Sequence, residues 1–146
     1  MQIKLITDTD KLWESTIQYA EKCSWSAGPF LAKDMRKKKF TDWERVLVVL
    51  ESNTIAGYCT LAKTDCIPDV IYTPYIGYMF VDENFRGNRI SEKLILCALD
   101  YAKELGFQKV YLVSDQINLY EKYDFIKIEE KLDLWGNKEK IYIHET

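Results

Sequence analysis

Apolar and polar residues alternate over QIKLI (Gln2–Ile6), the period of a half-buried strand. The period then changes. Leu12, Trp13, Thr16, Ile17 and Ala20 recur at helical spacing, behind polar residues Thr7–Asp10 that suit an N-terminal cap. A second helix is predicted from about Pro29 to Lys37. Three strand-like stretches follow: WERVLVVLE, TIAGYCTLAK and PYIGYMFVD. Ser52-Asn53 between the first two predicts a tight antiparallel hairpin. Thr64–Thr73 reads as a loop.

Beyond FRGNRIS (Phe85–Ser91), Ile90, Leu94, Cys97, Ala98, Tyr101 and Leu105 mark one face of a long helix. Gly106 ends it at the C′ position, where a positive φ is useful. KVYLVS is a short, mostly apolar strand, consistent with parallel pairing through a crossover helix. LYEKYDF reads as a short helix or turn, and IKIEEKLDL with KIYIHE as a hairpin around Trp135-Gly136-Asn137. The predicted order is β-α-α-β-β-β-α-β-α-β-β. It describes a mixed α/β fold, antiparallel strands first, with one parallel crossover at the centre. With no repeat, low-complexity tract or linker, residues 1–146 read as one domain.

Composition narrows the partners. A formal charge of -3 argues against nucleic acid as the main partner. The one concentrated basic run, Arg36-Lys37-Lys38-Lys39, reads as a solvated helix end. Met1–Asp10 carries polar residues at short intervals, unlike a secretory signal, and the aliphatic run Val46–Leu50 is too short to cross a bilayer. Cys23, Cys59, Cys66 and Cys97 form no C-x-x-C pair, so neither zinc nor a disulfide framework is expected. A cytoplasmic protein without a membrane partner is the expectation.

The FRGNRIS stretch carries the candidate chemistry. A strand followed by a helix N-terminus aims unpaired N–H groups and a partial positive charge at a common point. Gly87 allows close backbone approach, and Arg86 and Arg89 add charge, so a phosphate or pyrophosphate ligand is expected. A basic loop that merely caps the helix fits these residues equally well. No G-x-x-x-x-G-K-[ST] occurs and no G-x-G-x-x-G turn is present, which excludes the usual ATPase and NAD-enzyme loops. The only histidine, His144, has no serine or cysteine at triad spacing, so a hydrolase is unsupported.

YMFVDENFRGNRISEKLI, followed by a strand and then by LYEKYDF, resembles the GNAT superfamily of acetyl-CoA-dependent N-acetyltransferases. The family's pyrophosphate loop reads [QR]-x-x-G-x-[GA], after a strand that ends in a hydrophobic-x-Val pattern. Arg86 takes the first loop position and Met79-Phe80-Val81 the strand end. Arg89 stands where the family prefers glycine, and Ser91 where it prefers glycine or alanine. Asp124 replaces the glycine before Phe125.

The resemblance implies a GNAT-like fold with acetyl-CoA as cosubstrate and no metal. Cofactor contacts are implied for Met79, Phe80, Val81, Arg86, Gly87, Asn88, Arg89, Ile90, Ser91 and Ser114. Pantetheine would lie between the strand Tyr75–Val81 and the strand Lys109–Ser114, with the Met79 amide polarising the thioester carbonyl. Tyr120 falls where the family commonly carries its tyrosine acid. Relatives often place a basic Glu or His on the fourth strand, but Tyr75 and Gly77 stand there, leaving Asp65, Glu83 and Glu44 as edge candidates. Trp25, Phe30 and Trp43 are either core or acceptor-pocket aromatics. The acceptor is a small-molecule or peptide amine, and a homodimer is one expected assembly. A non-catalytic CoA- or acyl-CoA-binding module is the competing expectation.

Overall fold

The computed structural model describes residues 1–116 and 118–146. In chain order its elements are β1 (Gln2–Ile6), α1 (Leu12–Lys22), α2 (Gly28–Arg36), β2 (Arg45–Glu51) and β3 (Thr54–Ala62). They continue with β4 (Tyr75–Val81), α3 (Ile90–Glu104), β5 (Lys109–Ser114), β6 (Ile126–Leu132) and β7 (Lys138–Glu145). The strands form one sheet in the order β1-β2-β3-β4-β5-β7-β6, antiparallel throughout except for the β4–β5 pair. LYEKYDF contributes a single 3₁₀ turn at Glu121–Tyr123 where the sequence allowed a short helix or turn.

β2 shows why the centre of the sheet reads as a continuous aliphatic run. Leu47 and Val49 pack with α3, while Val46 and Val48 pack with α1 and α2, all four fully buried. A strand covered on both faces has no polar face to alternate with. Each such side chain contributes about 1.5–3 kcal/mol by leaving water. Two cores therefore flank the sheet. Ser52 and Asn53 both take positive φ, at 49° and 67°, as a two-residue type I′ hairpin turn requires. Gly106, at φ +96°, closes α3 as expected.

Two irregularities position the site. Tyr78 sits at φ 47° in the middle of β4, and the β3–β4 register slips there, so Tyr78 and Met79 together oppose Cys59. This is a β-bulge, which bends a strand and increases its twist. Beyond it β4 leaves β5: parallel pairing is confined to Tyr75 with Tyr111 and Ile76 with Leu112. The edge of residues 77–81 that faces β5 thus has no strand partner.

The basic run ends α2 in contact with carboxylates. Arg36 pairs with Glu21, Lys38 lies 3.9 Å from Asp8 and Lys39 lies 3.3 Å from Asp34. Among the described residues, no helix is long and apolar enough to cross a membrane.

Candidate active site

The connection from β4 to α3 is built from short-range contacts. The Asp82 carboxylate accepts the Asn84 amide at 2.9 Å and opens a 3₁₀ turn over Glu83–Phe85. Arg86 then folds back, its Nε donating to the Val81 carbonyl at 3.2 Å and leaving the rest of the guanidinium exposed. Asn88 Nδ2 donates to the Phe85 carbonyl at 2.9 Å and steadies the loop. Gly87 takes φ +89° with open space where a Cβ would stand. The amides of Ile90, Ser91 and Glu92 open α3 with no acceptor inside the helix.

Arg89 precedes α3 at φ 57°, in the left-handed region. Glycine, the residue that the resembled loop prefers here, takes this conformation without a Cβ penalty. Asp124, at φ 70°, repeats the pattern before Phe125. A non-glycine residue costs about 1–2 kcal/mol in this region. The Arg89 side chain is almost entirely solvent-exposed, 3.8 Å from Glu92. Arg89→Gly is therefore expected to raise stability by about 1 kcal/mol, read from urea unfolding, with CoA affinity equal or improved. A large loss of CoA affinity would make Arg89 a clamp on the ligand.

The β4–β5 gap has two unlike faces. On the α3 side, Tyr120 is 8% exposed and its ring packs against Phe125 and Tyr142. It also lies in electrostatic reach of Cys59. Cys59 belongs to β3 and Tyr142 to β7, and β4 and β5 lie between those strands. Tyr120 therefore spans the gap. Burial, with a smaller push from Cys59, moves its phenol up to about 12. Ser91 Oγ lies 3.3 Å from the Tyr123 hydroxyl and ties the α3 N-terminus to this turn.

The other expected cofactor residues divide by burial. Phe80 and Ile90 are core side chains, 5% and 2% exposed, so only their backbone can meet a ligand. Met79 and Val81 pack against the α3-side core. Ser114 ends β5, its hydroxyl accepting the Gln116 amide at 3.1 Å.

On the opposite face the Tyr75 side chain and the bare Cα of Gly77 alternate with Ile76, which points to α3. Asp65 reaches this face from the β3–β4 connection. Its Oδ2 lies 3.1 Å from where a Gly77 Cβ would stand, while Oδ1 accepts the Cys66 amide at 2.6 Å. Burial raises the Asp65 carboxyl above the ordinary carboxylate range, against a smaller lowering by the Cys66 amide. Of the three edge carboxylates this is the one at the strand. Glu44 is occupied, accepting the Thr41 and Lys63 amides at 3.1 and 2.9 Å. Glu83 borders a separate open groove of about 580 Å³ beneath α1, lined also by Tyr19 and Asp82.

Cys66, Asp133 and Glu139 gather near Asp65, a grouping that no sequence spacing announced. The aromatics separate as well. Trp25 stacks on Phe80 at 5.8 Å and Trp43 meets Phe107 at 4.9 Å, so both pack half-buried against a core. Phe30 is 56% exposed and faces Trp135 of the β6–β7 turn at 6.5 Å.

The sequence profile of the acetyltransferase (GNAT) family matches residues 10–125. Among solved structures, the chain superposes on a probable acetyltransferase from Staphylococcus epidermidis with a TM-score of 0.72 at 18% identity, covering 99% of this chain and 98% of that one. An aminoglycoside 6′-acetyltransferase type Ii gives 0.72 at 14% identity, covering 99% and 97%. A putative streptothricin acetyltransferase from Bacillus anthracis, in complex with acetyl coenzyme A, gives 0.60 at 19% identity over 73% of this chain and 64% of that one. The diverging strands, the open α3 N-terminus and the family match agree: the chain belongs to the GNAT family and is an acetyl-CoA-dependent N-acetyltransferase.

Proposed function

We propose that the chain acetylates a primary amine by direct attack of the amine nitrogen on the thioester, with Asp65 as base and Tyr120 as acid. One observation carries this reading: Asp65 and Tyr120 lie on opposite faces of the same strand gap. An amine can then approach from one face while sulfur leaves toward the other. Acetyl-CoA supplies the activated acyl group.

The residues for holding it fit its chemistry. The unpaired amides at the start of α3 and the exposed guanidinium groups of Arg86 and Arg89 suit a pyrophosphate. The free edge of residues 77–81 suits an extended amide chain that adds to a strand edge. Gly87, Asn88, Ile90 and Ser91 offer backbone in the same loop, and Ser114 closes the far side of the gap.

Asp65 accepts a proton from the ammonium and leaves a nucleophilic nitrogen. The N–C bond forms as the C–S bond breaks, and Tyr120 hydrogen-bonds to the departing sulfur and protonates it. The nitrogen loses two protons in all; one is balanced by the thiol product, the other passes to solvent. The Tyr120 phenol is a weaker acid than a thiol of pKa about 8.5, so complete transfer is uphill and must accompany bond breaking. The screen that tests this reading measures thiol release from acetyl-CoA with monoamines, polyamines, aminoglycosides, amino acids and peptide N-termini. Thiol release with none of them would leave only CoA binding.

Arg86→Ala is expected to weaken CoA binding by about 1–3 kcal/mol, measured by titration calorimetry, the scale of one charge-assisted contact. An unchanged affinity would assign Arg86 to loop closure alone, through its bond to the Val81 carbonyl.

A further inference from the structure

The acceptor face holds more negative charge than one amine needs. A sulfur or carboxylate atom from each of Cys66, Asp133 and Glu139 lies within 4.8 Å of the others. They come from the β3–β4 connection, the β6–β7 turn and β7. The Leu134 amide donates to the Cys66 carbonyl at 2.9 Å and locks the turn to the connection. Asp133 is held in place by accepting the Trp135 and Asn137 amides, each at 2.9 Å.

The cluster lacks internal compensation. Glu139 feels Asp115, Asp133 and Asp65, with Lys140 alone acting in the other direction. Among the described residues, no lysine or arginine forms an ion pair with Asp65, Asp133 or Glu139.

Tyr75 is independent evidence that something binds here. It is 1% exposed, and its hydroxyl has no hydrogen-bond partner. That hydroxyl lies in electrostatic reach of Asp65 and Cys66, so it borders the cluster on its Cys66 side. Native proteins rarely bury such a group unpaired. Tyr111 packs 5.9 Å from Tyr75 and 4.7 Å from Tyr72, so further tyrosine rings flank Tyr75. An ammonium matches each feature: it has three donors and no acceptor, it neutralises carboxylates, and it is attracted to tyrosine faces.

We infer that Asp133, Glu139 and the Tyr75 hydroxyl form a subsite for a second ammonium, so that the acceptor is a short diamine or oligoamine whose reacting nitrogen lies at Asp65. This rests on the amine acetylation proposed above. A divalent metal is the rival occupant. Burial and the neighbouring carboxylates push the Cys66 thiol up and disfavour the thiolate that a metal needs, whereas an ammonium needs none.

The test compares 1,4-diaminobutane with butylamine on the full chain, by calorimetry in saturating CoA and by kcat/KM for thiol release. The diamine is expected to bind at least about tenfold more tightly, and Glu139→Gln should shrink that ratio about tenfold, as loss of one charge-assisted contact does. Asp133 is left intact because it also holds its turn. Turnover of both amines with no diamine preference would overturn the subsite while leaving amine acetylation standing. Diamine preference in binding without thiol release would do the reverse. Zinc binding that is lost in Cys66→Ser, with no diamine preference, would make the cluster a metal centre and overturn the inference.

Discussion

Tyr120→Phe is expected to lower kcat about 10²-fold while CoA affinity and melting temperature hardly change. The ring is retained, and with it the packing against Phe125 and Tyr142. Only the hydroxyl is lost, and among the described residues it holds no hydrogen bond whose loss would unsettle the fold. The loss should fall on kcat and kcat/KM together, because the hydroxyl acts where negative charge gathers on sulfur in the transition state. The lower end of the general-acid range is chosen for a physical reason. With its phenol pushed up to about 12, Tyr120 stays protonated at neutral pH but is a reluctant donor. Its contribution is then chiefly a hydrogen bond that strengthens as the C–S bond breaks. Wild-type turnover by Tyr120→Phe with any accepted amine would make Tyr120 a packing residue and leave solvent as the proton source.

Asp65→Asn should separate activity from stability in opposite directions. The amide oxygen can still accept from the Cys66 amide, so the loop geometry is kept while the charge goes. At neutral pH kcat/KM should fall by about 10²–10⁴-fold, the range for lost general-base catalysis. Stability should rise. Burial lifts the folded-state pKa of Asp65 above its unfolded value, so the folded state binds the proton more tightly and wild-type stability falls as pH climbs between the two. The melting-temperature advantage of the variant should therefore be absent well below the unfolded carboxylate pKa. It should grow as pH rises through the folded pKa, then level off. The wild-type acid limb of kcat/KM should lie above the ordinary carboxylate range and vanish in the variant. Lost activity with no gain in neutral-pH stability would mean that Asp65 is held by charge, and a positioning role would replace that of base.

The sequence by itself determined what depends on neighbours along the chain. The alternation of Gln2–Ile6, the helical spacing from Leu12 to Ala20 and the unbroken aliphatic run of β2 each report a local period set by burial. The hairpin at Ser52-Asn53 and the stop at Gly106 were legible because a positive φ selects few residue types. The candidate pyrophosphate loop could be read as a unit for a different reason: strand end, loop and helix start lie within one continuous stretch, Met79–Ser91.

Tertiary structure alone decided which side chains meet across the sheet. Which of the candidate carboxylates reaches the strand gap could not be read, because Asp65 comes to Gly77 from a loop whose course depends on the whole sheet. Trp25 and Trp43 were ambiguous until packing sent them to opposite cores. The bulge at Tyr78 has no glycine to announce it, since register against β3 imposes the strain there. Asp133 and Glu139 are neighbours across the β6–β7 turn, but Cys66 is far from both in the chain and meets them only because β7 enters between β5 and β6. A local pattern records how each residue is buried; which distant charges share one face is fixed by strand order, and no short window contains that.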